Sequence, residues 1–323
     1  MLYLNETHVK QLGVEWNDTI ATIGTAVRCL AEEDYAQPVK PYLRYKDKTN
    51  RIIAMPAYVG GDIQSAGIKW IASFPKNIDR GLPRASSVMI LNDVETGQPV
   101  GVLNTALLSV IRTASVSGLM IKHFVAARPR ASYKVGIIGF GPIGQYHAKM
   151  CQAVLGSKLS EMVLFDIRGI DVAAADLQDK ERVRAVQTWQ EAYADADIFI
   201  TCTVSSKPYI NEAPKPGSLQ LNVSLRDYEA EAIYPFVQRS IIVDDWEEVC
   251  REKTDIEMMH LQAGLQKEQT KSIVDVVIGD CMRQYDADAP IMFNPMGMAS
   301  FDIAIGSMYA RQAVAKGIGQ LLD

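Results

Sequence analysis

The sequence predicts an α/β protein in which a doubly wound parallel sheet follows an N-terminal α+β portion built on an antiparallel sheet. Three observations carry this. From Lys134 onward, short apolar runs alternate with helical patterns, the rhythm of parallel β-α-β units. Residues 51–105 run strand, turn, strand, with no helical stretch between. The chain has 323 residues, enough for two domains with separate cores.

Residues 1–36 read as a short strand and then a helix, because Ile20, Ile23, Val27, Leu30 and Ala31 recur at helical spacing. Two prolines between Tyr35 and Pro41 break that pattern. The runs RIIAMPAYV, AGIKWIASF, ASSVMILND and PVGVLNTA follow, with turns at Gly60-Gly61 and Glu95-Thr96-Gly97. Residues 106–127 read as one or two helices. Parallel strands are expected at 134–138, 162–165, 198–203, 218–223 and 240–243. Pro295-Met296-Gly297-Met298 precedes a final helix at about 300–315. The expected domains are therefore 1–127, completed by 296–323, and an inserted 128–295. The ligand is expected between them, at the carboxyl ends of the parallel strands.

The stretch 134–166 carries the clearest chemistry. An apolar run leads into Gly139-Phe140-Gly141-Pro142-Ile143-Gly144, then an amphipathic helix, then a second apolar run ending at Asp166. This is the G-x-G-x-x-G fingerprint of a Rossmann dinucleotide site in its required strand–turn–helix context. Gly139 permits the turn, Gly141 lets backbone N–H groups reach a pyrophosphate, and Gly144 lets helix and strand close up. The helix N-terminus adds partial positive charge. Asp166, 22 residues after Gly144, is placed to accept hydrogen bonds from the adenosine ribose and to repel a 2′-phosphate. NAD is the expected cofactor. Thr203 and Val204, at the end of a later strand, are expected to line the nicotinamide pocket.

The remaining composition narrows the function by exclusion. Hydrophobic residues make up 48% and charged residues 22%, with a formal charge of −5 and no basic block, which argues against nucleic acid. Five widely spaced cysteines without a C-x-x-C fit reduced thiols in a cytoplasmic protein. The polar start and the lack of a run near the ~20 apolar residues of a membrane span argue against membrane insertion. His8, His123, His147 and His260 show no metal-ligand spacing, and no metal is expected. The acidic run from Val243 to Glu248 reads as a helix start.

The N-terminal portion places cations among apolar or small residues. They are Arg44 in KPYLRY, Lys69 in AGIKWIASF, Arg84 before ASSVMIL and Arg112 in SVIRTASVS. Each reads either as a solvated surface charge or as an anion ligand. Lys69 and Arg112 favour the second, since a buried cation requires an anion, and arginine suits bidentate carboxylate binding. Four such cations imply a small-molecule substrate rich in carboxylates. Asp227, just past an expected strand, reads either as a helix N-cap or as a carboxylate facing a substrate amine.

The strings IRTASVS, GIKWI, IIGFGPIG and GMASFD, with Asp227 at a strand end, resemble the ornithine cyclodeaminase/μ-crystallin family over essentially the whole chain. KPYLR, RIIAMP, RASSVMILND, ITCTVSSKPYI, VDDWEEVCREKTDI and NPMGMA further resemble one group of its members. These oxidise N-[(2S)-2-amino-2-carboxyethyl]-L-glutamate with NAD, releasing L-2,3-diaminopropionate for siderophores or peptide antibiotics. The resemblance implies an N-terminal sheet that mediates a homodimer and an NAD-binding Rossmann domain. It implies that Arg44, Lys69 and Arg112 hold the substrate carboxylate and that Asp227 contacts the amine. Lys69 and Asp227 are the candidate catalytic residues. Arg44, Lys69, Arg84 and Arg112 are the candidate substrate ligands. Thr113 and Ser224 complete the expected cofactor set.

Cyclodeaminases carry a water-activating glutamate near the Met-Pro pair, where this chain has Ile53, which argues against the ornithine reaction. Arg84 replaces a small polar residue and suits an additional carboxylate. Cyclodeamination, reduction of an imine or ketimine, and nicotinamide and ligand binding without turnover are the rival readings.

Overall fold

A computed structural model describes residues 1–323. The chain forms two compact units, residues 1–113 with 297–323, and residues 114–296. The expected divisions lay after residues 127 and 295. The first division instead falls inside a continuous helix, which leaves no break in the sequence pattern.

The chain opens with β1 (Leu2–Asn5), α1 (Glu6–Leu12) and α2 (Trp16–Ala31). It continues through β2 (Tyr35–Ala36), β3 (Tyr42–Leu43), β4 (Arg51–Val59), β5 (Ser65–Ser73), β6 (Ala85–Asn92) and β7 (Pro99–Asn104) to α3 (Leu107–Ala127). The second unit follows as β8 (Tyr133–Ile138), α4 (Pro142–Leu155), β9 (Leu159–Phe165), β10 (Val183–Ala185), α5 (Trp189–Tyr193) and β11 (Ile198–Thr201). Next come β12 (Leu219–Asn222), α6 (Ala230–Val237), β13 (Ile241–Val243), α7 (Trp246–Val249), α8 (Asp255–Ala263), β14 (Lys271–Ser272), α9 (Ile273–Val277) and β15 (Ile291–Asn294). The chain returns to the first unit with α10 (Ala299–Lys316) and β16 (Gln320–Leu321).

The first unit is organised by one sheet in the order β16-β1-β7-β6-β5-β4-β2, with β3 also on β4. The pairs from β4 to β7 are antiparallel, as the hairpin turns require. β1 departs from the expected pattern and runs parallel to β7; no hairpin joins the two, so neither direction is imposed. Because side chains alternate between faces, register sorts the sheet into rows. Met55, Lys69, Met89, Leu103 and Leu4 form an inward row. Pro56, Ile68, Ile90, Val102 and Tyr3 form an outward one. α10 crosses the inward face over β4, β5 and β6, and α2 packs on α10. Small residues let α10 lie close: a Cβ on Gly306 would stand 2.2 Å from Met89 Sδ.

The second unit is an all-parallel sheet in the order β10-β9-β8-β11-β12-β15-β13-β14. The chain winds outward from β8 through β9 to β10, then restarts on the other side with β11. The carboxyl ends of β8 and β11 therefore flank the switch point where nucleotides bind in this topology. β15 is a strand that the sequence pattern did not predict. Its four residues are buried, and Pro290 and Pro295 bound a run too short to stand out. β11 ends at Thr201, earlier than expected, which leaves Thr203 beyond the strand. No helix is long and apolar enough to cross a membrane.

Candidate active site

In the second unit, β8 ends in the glycine turn. Gly139 has φ +84°, and a Cβ there would stand 2.5 Å from the Cys202 carbonyl oxygen, so any larger residue would displace the loop after β11. A Cβ on Gly144 would meet the Gly139 oxygen at 2.0 Å, the close helix–strand approach the motif predicts. Gly141 is the N-cap of α4 and supplies no side-chain cap; Pro142 and Ile143 open the helix. Space around Gly141 is open, with no atom within 4 Å of where a Cβ would stand. Uncapped N–H donors beside open space suit the pyrophosphate of a dinucleotide. At the tip of β9, Asp166 accepts hydrogen bonds from the Phe140 N–H at 2.8 Å and the Arg168 N–H at 3.0 Å. Burial would raise its pKa, but Arg168 overrides this and holds the carboxyl below its ordinary value. The turn, the helix terminus and the ionised Asp166 together fit NAD.

Asp227 is fully buried in the loop after β12. It is not a helix cap, since α6 begins at Ala230 with Glu229 at the N-cap. The Thr203 and Ser224 hydroxyls each donate to a different oxygen of its carboxylate. The nearby Tyr209 hydroxyl also favours its ionised form. Burial outweighs these bonds and pushes the Asp227 carboxyl above its ordinary pKa. Thr203 and Ser224, expected at the cofactor, thus hold Asp227. Val204 is exposed just past them. The Thr113 hydroxyl donates to the Ser109 carbonyl at 2.7 Å, within its own helix.

In the first unit, Lys69 and Arg112 converge on one carboxylate that the sequence pattern does not single out. Lys69 Nζ donates to Asp302 Oδ2 at 2.6 Å, and Arg112 Nε donates to Asp302 Oδ1 at 3.0 Å. Lys69 comes from the middle of β5, Arg112 from the second turn of α3 and Asp302 from the first turn of α10. Lys69 and Asp302 are each only 1% exposed and Arg112 8%. Lys40 joins them: its Nζ donates to the Gly297 carbonyl at 2.7 Å, and a Cβ on Gly297 would stand 2.8 Å from Arg112 Nη1. Burial pulls Lys69 down to about 8 against the charge of Asp302, and Arg112 adds to that pull. Asp302 would be raised by burial, but Arg112 and Lys69 reverse this and keep it low. A single carboxylate faces two buried cations, an excess of positive charge that suits a carboxylate ligand.

The other two expected cations do not share that burial. Arg44 is exposed past β3, with its guanidinium 5.0 Å from the Tyr42 ring centroid. Arg84 is half-buried ahead of β6. Ile53 pairs with Ile71 and lies on the same sheet face as Lys69, so an apolar side chain occupies that face next to the lysine. The signal that could have found Asp302 was charge balance, because two cations in apolar strings demand a buried anion, and GMASFD supplies the acid closest to the final helix start.

The chain is similar to known proteins over its whole length. The model of the ornithine cyclodeaminase/mu-crystallin family matches residues 4–317. N-((2S)-2-amino-2-carboxyethyl)-L-glutamate dehydrogenase of Staphylococcus aureus (strain NCTC 8325 / PS 47) is 34% identical, covering 100% of this chain and 98% of its own. Among solved structures, Thermococcus litoralis Delta(1)-pyrroline-2-carboxylate reductase, in complex with NADH and L-proline, superposes with a TM-score of 0.85 at 20% identity, covering both chains fully. An archaeal alanine dehydrogenase dimer with bound NAD superposes with a TM-score of 0.82 at 23% identity, over 100% of this chain and 99% of that one. With its glycine turn, its strand-end aspartate and its buried cation pair, the chain belongs to the ornithine cyclodeaminase/mu-crystallin family.

Proposed function

We propose that the protein is an NAD-dependent dehydrogenase that oxidises N-[(2S)-2-amino-2-carboxyethyl]-L-glutamate and releases L-2,3-diaminopropionate and 2-oxoglutarate. The observation that carries this reading is the buried Lys69–Asp302–Arg112 cluster, whose positive excess calls for an anionic substrate, in a chain 34% identical end to end to a dehydrogenase of that name. The substrate has three carboxylates. Lys69 and Arg112 bind one, and Arg44 and Arg84 serve the others. Binding of this kind orients the glutamate Cα, and orientation supplies much of the rate. NAD, held by the Gly139–Gly144 turn and Asp166, would supply the hydride acceptor for that carbon.

The secondary amine loses its proton and becomes an imine. Water adds to the imine carbon, and the carbinolamine C–N bond then breaks as a proton reaches the departing amine nitrogen. Lys69 and Asp227 are the two groups proposed to move these protons: Lys69 lies near 8, and burial shifts Asp227 toward its protonated form. Ile53 offers no carboxylate for the cyclodeaminase route. The ionised Asp166 disfavours a 2′-phosphate and supports NAD over NADP. L-2,3-diaminopropionate feeds siderophore or peptide-antibiotic assembly in this reading.

A homodimer is proposed through the outer face of the first unit's sheet. The Pro56–Ile68–Ile90–Val102–Tyr3 row supports this, with Trp70 beside it 40% exposed.

The test is NADH formation at 340 nm with NAD and this substrate, in parallel with L-ornithine, with products read by mass spectrometry. NADH together with 2-oxoglutarate and diaminopropionate is the expected result. Proline and ammonia from ornithine would replace the reading with cyclodeamination. No turnover of either would leave an imine reductase or a ligand-binding protein.

A further inference from the structure

Two loops meet beneath Asp227, and both are strained. Leu225 has φ +64° in the loop after β12; Glu252 and Lys253 have φ +65° and +58° in the loop before α8. None is glycine, and such conformations persist only where surrounding contacts impose them. The contacts here centre on Asp255, the first residue of α8. Its Oδ2 accepts from Asn222 Nδ2 at 2.9 Å and from the N–H groups of Asp227 and Tyr228 at 3.3 Å each. Its own N–H donates to the Leu225 carbonyl at 2.8 Å. Arg226 ties the loops from the other direction, with Nη2 donating to the Glu252 carbonyl at 2.9 Å. Asn222 Oδ1 accepts from the Leu225 N–H at 3.1 Å and closes the network.

We propose that Asp255 is a positioning residue, holding the strained Leu225–Tyr228 segment so that the Asp227 carboxylate keeps its place, and acting on the reaction only through Asp227. The proposal rests on the reading that Asp227 handles a substrate proton. Asp255 is 3% exposed, and its Oδ2 takes all three of these protein hydrogen bonds, which fits a role in holding the loop. Burial raises its carboxyl, against the Asn222 and Tyr228 bonds and with help from the Asp227 charge, to about 7. The other titratable or charged groups facing this pair are Tyr209, Tyr228, Cys202 and Arg226, and Tyr193 lies behind Tyr228.

Three variants are compared by steady-state kinetics across pH with the proposed substrate and NAD: Asp227→Asn, Asp255→Asn and Asp255→Glu. Asp227→Asn is expected to lose turnover; if it retains it, the reading of Asp227 fails and this proposal with it. With Asp227→Asn inactive, folded Asp255→Asn is expected to lose at least tenfold in kcat with an unchanged KM for NAD. Asp255→Glu, which retains the carboxylate, is expected to recover part of kcat. An unchanged kcat in Asp255→Asn, or no recovery of kcat in Asp255→Glu, overturns the proposal. Should Asp255→Asn not fold, Arg226→Met cuts the opposite tie outside the core and must lower kcat; full kcat there overturns it equally.

Discussion

Lys69 shows how burial and charge compete at one side chain. An isolated buried ammonium sheds its proton rather than stay charged in a poor solvent. Asp302 opposes this, yet burial wins and the lysine is left near 8. The pH profile of kcat/KM should therefore show a limb near 8. The sign for stability follows. The folded lysine loses its proton near 8, while the unfolded one holds it to about 10.4. Between these values the unfolded state binds more protons, so this group's contribution rises with pH. Asp302→Asn leaves both cations without their carboxylate. It should cost about 3–5 kcal/mol in urea unfolding and move the kcat/KM limb below 8. A limb that stays put in Asp302→Asn would detach it from Lys69.

At the scale of elements, α4 packs against the turn before it at contact distance. The position a Cβ would take on Gly144 lies 2.0 Å from the Gly139 oxygen, so even alanine must push helix and strand apart. Gly144→Ala should cost about 1–3 kcal/mol of stability and abolish NAD binding measured by calorimetry. Wild-type affinity in that variant would mean the turn does not hold the pyrophosphate. α10 makes the complementary case. Its Gly306 sits on Met89, which brings Asp302, one helical turn earlier, down onto the Lys69 face of the sheet.

At the scale of the whole molecule, the outer row of the first unit's sheet remains an apolar surface. Trp70→Glu places a charge beside it. If the proposed homodimer forms through this face, the variant should sediment at half the mass of the wild type; an unchanged mass overturns that proposal. Trp70 points away from Lys69 by strand alternation, so the kinetics per folded chain report separately on whether assembly matters for turnover.

Local rules made much of this chain legible. The glycine turn, Asp166, the hairpin strands β4 to β7 and the final helix follow from turn chemistry and periodicity, which act over a few residues. Lys69 and Arg112 stood out because a cation in an apolar string is costly unless paired. What the sequence alone did not yield depended on partners distant in the chain. Asp302 lies 233 residues from Lys69, Asp255 lies 28 residues from Asp227, and β15 gains its place only between β12 and β13. Thr203 and Ser224 illustrate the same limit from the other side. Their positions at strand ends were readable, but only the tertiary structure turned both hydroxyls onto Asp227, because hydrogen-bond choice is settled by which polar groups the fold buries together.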